Sequence, residues 1–94
     1  FKKKKSISQQ TIYKTLPNHN QFTIIHWNAR SIKPKTEELR NLIHNKFIHV
    51  IIITETWLKI ENKFKLHPYK ITRIDRSKEG GGIMVLIHPS LINN

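Results

Sequence analysis

The spacing of hydrophobic positions changes twice within residues 21–54 of this chain. Segment 21–27, QFTIIHW, is rich in β-branched and aromatic residues and is bounded by polar ones, which predicts a strand. From Thr36 the apolar residues recur at helical intervals, which predicts an amphipathic helix of about three turns. Segment 48–54, IHVIIIT, is nearly continuous Ile and Val, which predicts a second strand covered on both faces. Strand, helix and strand in this order indicate a βαβ unit, whose strands run parallel.

The predicted helix has an acidic start and one apolar face. Glu37 and Glu38 fall in its first turn, where the helix dipole favours negative charge. The segment before it, NARSIKPK, is typical of a loop. The apolar face consists of Leu39, Leu42, Ile43 and Phe47.

Further segments complete the predicted organisation. Residues 69–75 and 83–89 have the composition of strands, and Pro89 stops the second. The stretch SKEGGG between them predicts a flexible turn or bulge, because it lacks the Gly-x-x-x-x-Gly-Lys spacing of a phosphate-binding loop. Residues 1–20 are basic and polar with no sustained period, which predicts a flexible basic arm before a domain over residues 21–94.

Polar side chains follow the two predicted parallel strands. Asn28 ends the first strand, and Glu55 ends the second. The carboxyl ends of parallel strands share one edge of a sheet, where open α/β sheets bind their ligands. A carboxylate at the end of a buried strand needs a positive partner or a hydrogen-bonding role. Position alone leaves a metal-binding or catalytic role, an ion pair and a helix cap open for Glu55. Asn28 on the same edge favours the first, since Mg²⁺ binds oxygen ligands.

The charge of the chain favours a phosphate-rich partner. There are 17 Lys and Arg against 6 Asp and Glu, a formal charge of +11, and each phosphate of a nucleic acid that is neutralised releases condensed counterions. An anionic membrane also fits, but no apolar run approaches the roughly 20 residues of a membrane span. We therefore expect a soluble protein, and its first residue, Phe1, suggests a piece of a longer one. The chain has no cysteine, which excludes disulfides and thiolate metal sites.

Histidines and tryptophans have structural interpretations that compete with functional ones. The histidines match no common zinc spacing, and three of them, His26, His49 and His88, fall in or beside strands, where packing roles are ordinary. Trp27 and Trp57 could stack on bases, but both adjoin predicted buried strands, so core packing is expected for both.

Four segments taken together resemble a known family. IIHWNARSI, a helix containing EELRNLI, IHVIIITETWL and YKITRIDRSKEGGGIMVLIH occur in this order between residues 22 and 91. The combination resembles the start of the endonuclease/exonuclease/phosphatase domain, which is DNase I-like, and most closely the version at the N-terminus of non-LTR retrotransposon polyproteins. The resemblance implies an α/β fold, the incomplete N-terminal portion of a four-layer α/β sandwich in which two mixed sheets pack face to face with helices outside.

The resemblance also implies an activity, a metal and a partner. Members of the family hydrolyse phosphodiesters or phosphomonoesters with Mg²⁺ (or Mn²⁺), and the retrotransposon branch nicks target DNA to prime reverse transcription. Asn28 matches the Asn that orders the site around metal and phosphate, and Glu55 matches the metal-binding Glu. The implied partner is DNA, and the RNA of the element is a second candidate. The implied compartment is the nucleus for a functional retroelement protein and the cytoplasm otherwise. The expected nucleic-acid contacts are Lys2, Lys3, Lys4, Lys5, Arg30 and Lys33, although a solvated tail is the competing interpretation of the first four.

Later motifs of the family are missing from the chain. The Asp-x-Asn strand end and the C-terminal Ser-Asp-His have no counterpart, and Asp75 and His88 do not occupy their places. We therefore expect the chain to bind DNA without nicking it. The alternatives are a non-catalytic basic nucleic-acid-binding module and a non-functional retroelement remnant whose strands lack a partner sheet.

Overall fold

The computed structural model describes residues 11–15, 22–76 and 80–92. They form a mixed α/β fold with one five-stranded sheet and one α-helix. The strands are β1 (Thr11–Thr15), β2 (Phe22–Asn28), β3 (Val50–Thr54), β4 (Lys70–Ile74) and β5 (Ile83–Ile87). Helix α1 spans Thr36–Asn45, and short 3-10 helices span Lys33–Lys35 and Pro89–Leu91. No helix in these ranges combines the length and apolar content of a membrane span.

The sheet confirms the predicted βαβ unit. Its strand order is β1-β2-β3-β5-β4, and β2 pairs with β3 in parallel while the other neighbours are antiparallel. At the last paired position of β2, Asn28 lies opposite Thr54 of β3. Thr54 in turn lies opposite Ile83 of β5, and Ile83 lies opposite Ile74 of β4. Strands β2, β3 and β4 therefore end at the same edge of the sheet, and β5 begins there.

One face of the sheet carries the core. Six strand residues on this face are at most 2% exposed, and α1 packs there through the fully buried Leu39, with Leu42 and Ile43 partly buried beside it. Such burial stabilises the fold by roughly 1.5–3 kcal/mol for each large aliphatic side chain. The strand residues of this core are Ile25, Trp27, Ile51, Ile53, Met84 and Leu86.

Two expectations about burial are wrong. Phe47 does not extend the apolar face of α1, because the helix ends at Asn45 and the chain turns extended at Lys46, which leaves Phe47 55% exposed. Strand β3 is fully covered on one face only: Ile51 and Ile53 are buried, whereas the intervening residues are partly exposed. The one α-helix of the described residues packs on the first face, so no helix covers the second.

The expectation of a flexible arm over residues 1–20 does not hold for Thr11–Thr15, which form β1. This strand pairs antiparallel with β2, from Thr11 opposite His26 to Thr15 opposite Phe22. Its short segment, TIYKT, becomes a strand because the edge of β2 supplies hydrogen-bond partners, which local periodicity cannot show. The lysines at 2–5 lie outside the described residues.

Candidate active site

The edge where β2, β3 and β4 end brings together residues that are far apart in the sequence. Asn28 is exposed at the end of β2, and Glu55 directly follows Thr54 at the end of β3. Arg76 follows the end of β4, and Gly82 precedes β5 at the same edge. As predicted, the parallel pair brings Asn28, which lies opposite Thr54, and the next residue of the second strand, Glu55, to one edge of the sheet.

Backbone hydrogen bonds fix the two loops that leave β2 and β3. The Ala29 N–H donates to the Thr54 carbonyl at 2.9 Å, and the Ser31 N–H donates to the Glu55 carbonyl at 2.9 Å. The Ile32 N–H continues the pattern to the Thr56 carbonyl at 3.0 Å. The strand pairing therefore extends past the ends of the strands and holds the two loops, including the backbone of Glu55, in register.

Four non-glycine residues at this edge have left-handed backbone conformations. Their φ angles are 52° at Arg30, 84° at Ser31, 56° at Glu55 and 59° at Trp57. Such conformations cost on the order of 1–3 kcal/mol each and cluster at functional sites, because surrounding contacts must hold them. Among the described residues, the non-glycine positions with this strained backbone therefore include the predicted site residue Glu55.

The Glu55 carboxylate is held through one oxygen. Its Oε1 accepts a hydrogen bond from Trp57 Nε1 at 2.8 Å and a longer one from the Gly81 N–H at 3.4 Å. These bonds lower the pKa of Glu55 below its usual value of 4.5, the Trp57 bond most, and the charges of Arg76 and Arg30 act in the same direction. Glu55 is therefore ionised at neutral pH, and Oε2 accepts no hydrogen bond from the described residues.

The glycine run packs against the loop that carries Glu55. The Trp57 N–H donates to the Gly81 carbonyl at 2.9 Å, and the Thr56 N–H donates to the Gly82 carbonyl at 3.4 Å. Gly82 has a φ of 97°, and a Cβ there would overlap the buried Thr56 Oγ1, so no other residue fits without rearrangement. This run leads into β5 and not into a helix, unlike a phosphate-binding loop. The first half of the predicted turn, residues 77–79, lies outside the described residues.

The two tryptophans differ. Trp27 is 2% exposed in the core, as expected, but Trp57 is 45% exposed, so core packing is the wrong prediction for it. The left-handed conformations at Glu55 and Trp57 turn the indole outward, where it hydrogen-bonds to Glu55. Trp57 is the residue of this site that the sequence reasoning missed. The sequence offered one signal for Trp57: it lies two residues after Glu55, in a loop and not in a strand.

Basic residues in the loop after β2 have different roles. Arg30 and Lys33 are exposed, as a contact with nucleic acid requires, and Arg30 is close enough to lower the pKa of Glu55. Lys35 instead points back into the loop, where its Nζ donates to the Ala29 carbonyl and, at 3.4 Å, to the Arg30 carbonyl. Lys35 thus holds the loop that presents Arg30.

The histidines beside the strands make hydrogen bonds within the fold. His26 Nε2 lies 3.4 Å from Thr54 Oγ1, His49 Nδ1 accepts from the Thr23 N–H at 3.2 Å, and His88 Nδ1 accepts from the Ser90 N–H at 3.1 Å. In the part of the chain that the structure describes, no group of three or more His, Cys, Asp or Glu is arranged to hold a metal ion.

The donor set at the edge still suits one kind of metal. Mg²⁺ is usually bound by one or two carboxylates, with waters and substrate phosphates completing its octahedron, and does not need a cage made by protein alone. An ionised Glu55 with a free oxygen and an exposed Asn28 amide supply that partial set of oxygen ligands. These are oxygen ligands of the types that Mg²⁺ binds.

Comparison with known proteins does not assign a family: the chain matches no protein-family model, no curated protein and no solved structure. Function is therefore inferred from the geometry of the edge and from the motifs.

Proposed function

We propose that this chain forms one wall of the active site of a Mg²⁺-dependent DNA endonuclease, of the retrotransposon type that its motifs resemble. The observation that carries the proposal is the Glu55 carboxylate, ionised and oriented at the end of a parallel strand whose partner strand ends in Asn28. Mg²⁺ at such a site would neutralise charge on the scissile phosphate and stabilise the leaving oxygen. Glu55 Oε2 and the Asn28 amide oxygen would bind the ion.

The other residues of the edge prepare this wall for a phosphate. Trp57 and the Gly81 N–H hold Glu55 Oε1, so the carboxylate is fixed in orientation before a ligand arrives. Arg30 and Arg76 place positive charge beside the carboxylate, where an incoming phosphate needs it. The sequence contains no counterpart of the Asp and His that form the general base in the family, so we expect DNA binding without cleavage by the chain alone.

A non-catalytic nucleic-acid-binding module is the second candidate. The charge of +11 suffices for such binding, and the described residues contain no larger metal-binding cluster. In this case Glu55 is a structural acceptor for Trp57 and Gly81. The two functions differ in whether Glu55 binds a divalent cation.

Paramagnetic Mn²⁺, which takes the same ligands as Mg²⁺, distinguishes the two functions. During a titration with Mn²⁺ we expect the amide NMR signals of Asn28, Glu55 and Gly81 to broaden first. The Glu55→Gln variant should abolish this selective broadening. Glu37→Gln, which removes an exposed carboxylate on α1, is the matched control and should retain it.

Two results would contradict the proposal or part of it. Broadening that is absent in the wild type, or that persists in Glu55→Gln, removes the metal role and favours the binding module. In a plasmid assay, Mg²⁺-dependent relaxation that is lost in Glu55→Ala contradicts the expected inactivity of the chain alone. That result would mean that a second copy supplies the missing groups.

A further inference from the structure

A basic groove lies beside the candidate site and shares only Arg76 with the site residues named above. The loop after Leu58 and the end of β4 line this groove, which has a volume of about 920 Å³. Its exposed cationic side chains are Lys59, Lys63, Lys65 and Arg76, against one exposed carboxylate, Glu61. None of these five forms an ion pair with a described residue, so the groove presents a net positive surface to solvent.

One wall of the groove is a turn with a fixed backbone. The Lys59 N–H donates to Asn62 Oδ1 at 2.8 Å, and the Asn62 N–H donates back to the Lys59 carbonyl at 2.8 Å. Arg73 of β4 then donates to the carbonyls of Lys59 at 2.9 Å and Asn62 at 2.6 Å. The turn Lys59–Asn62 is thereby attached to the sheet before any partner binds, which reduces the ordering cost of binding.

Arg73 is itself held in place by Asp75. Its Nε and Nη2 donate to the Asp75 carboxylate at 2.9–3.1 Å, and both side chains are largely buried. The pair is neutral, so Arg73 is a positioning residue for the turn and adds no free charge to the groove. Asp75 is likewise occupied, which explains why it is unavailable as a catalytic carboxylate.

Ile60 stands at the tip of this turn. It is 86% exposed, more than any other large hydrophobic residue described. A single exposed isoleucine is ordinary on a protein surface, but this one lies on a turn that four hydrogen bonds hold in place, beside a cationic groove. Proteins that bind the minor groove of duplex DNA often combine these elements: cations follow the phosphates, and an apolar side chain enters the groove.

We propose that the groove holds the phosphate backbone of duplex DNA and that Ile60 contacts the minor groove beside it. This inference rests on the proposed function only in taking DNA as the partner, since no step of it involves Glu55 or a metal. An anionic membrane is the other partner that cations and an exposed isoleucine could fit. DNA is favoured for two reasons. The cationic surface is concave, and insertion of Ile60 into a membrane would bring the neighbouring Glu61 carboxylate close to anionic headgroups, which repel it.

Salt-dependent DNA binding tests the cationic part of the proposal. Binding of a short labelled duplex is measured by fluorescence anisotropy between about 50 and 200 mM salt. The double variant Lys59→Ser, Lys63→Ser should reduce the slope of log affinity against log salt by about 1.8, since each phosphate contact contributes about 0.9. The matched control Lys46→Ser, Lys70→Ser removes the same charge from exposed positions outside the groove and should change the slope less.

The Ile60 contact has a different signature. Ile60→Ser should weaken binding on the order of tenfold through lost apolar contact, with the salt slope unchanged. Ile74→Ser is the control, because Ile74 is 69% exposed on β4 and lies outside the groove. All substituted side chains are exposed, so thermal unfolding should match the wild type.

Groove variants that bind DNA like their controls, or a wild type that does not bind DNA, would overturn the proposal. Loss of binding to phosphatidylserine vesicles in Ile60→Ser, with DNA binding unchanged, would assign the turn to a membrane instead. The Mn²⁺ titration is read separately: selective broadening at Glu55 should persist in the groove variants. Its failure in the wild type would leave the result for the groove intact.

Discussion

At the scale of single residues, the unusual feature is a carboxylate and an indole two positions apart that hold each other at a sheet edge. Glu55 and Trp57 both have left-handed φ angles, and this conformation brings Trp57 Nε1 to 2.8 Å from Glu55 Oε1. The bond lowers the pKa of the carboxyl, and Oε2 accepts no hydrogen bond from the part of the chain that the structure describes. Trp57 is therefore best understood as a positioning residue for Glu55.

Trp57→Phe should raise the pKa of Glu55 towards 4.5, because it removes the largest cause of the lowered value. The pKa of the folded state lies below that of the unfolded chain, so the interactions of Glu55 stabilise the fold above pH 4.5. This stabilisation is lost as the pH falls through the folded pKa, and the variant should lose less stability on acidification. NMR titration of the Glu55 side-chain carboxyl carbon measures the shift. An unchanged titration midpoint would mean that Trp57 does not orient Glu55.

At the scale of elements, the fold depends on how one helix meets one face of the sheet. Helix α1 begins with Glu37 and Glu38 in its first turn, as the helix dipole favours, but its N-cap residue makes no side-chain capping bond. A ten-residue helix is marginal in isolation. The burial of Leu39 against the sheet therefore does most to hold it in place.

Leu39→Ala should reduce the free energy of unfolding by about 2–5 kcal/mol, because it deletes a fully buried side chain and leaves a cavity. Chemical denaturation followed by circular dichroism measures the change. Leu42→Ala is the matched control, since Leu42 is only partly buried on the same helix and should cost less. Equal losses in the two variants would contradict the packing of α1 through Leu39.

The order of elements was predictable where the pattern is local. The periods of β2, α1 and β3 follow from side-chain geometry along a single segment, and their boundaries in the structure lie within about two residues of those predicted. Strand β1 and the partial exposure of β3 were not predictable in this way. Both depend on what lies beside or above a segment in space.

At the scale of the whole molecule, charge and the open face of the sheet dominate. The chain carries +11, and the exposed cations of the described residues lie in the loop after β2, on and after α1, in the groove after β3 and at Lys70 of β4. The second face of the sheet presents Ile83 and Ile74 at 46% and 69% exposure. Affinity for DNA should therefore fall steeply with salt, while stability depends on a single covered face.

Replacement of Lys2, Lys3, Lys4 and Lys5 by serine should lower the salt slope of DNA binding by about 0.9 for each duplex phosphate contact that is lost. The physical reason is the release of fewer counterions. Anisotropy measured at several salt concentrations gives the slope, and circular dichroism should show an unchanged fold. A slope identical to that of the wild type would make the lysine run a solvated tail.

The sequence by itself determined the βαβ order and the positions of Asn28 and Glu55 at one sheet edge. It did so because hydrophobic period, helix dipole and the direction of parallel strands are properties of short segments and their connections. Only the tertiary structure decided that Trp57 faces solvent and that the Gly81 N–H reaches Glu55 across 26 positions of sequence. The attachment of the Lys59 turn by Arg73 was decided in the same way. These contacts depend on the register between β3, β5 and β4, which no local pattern encodes.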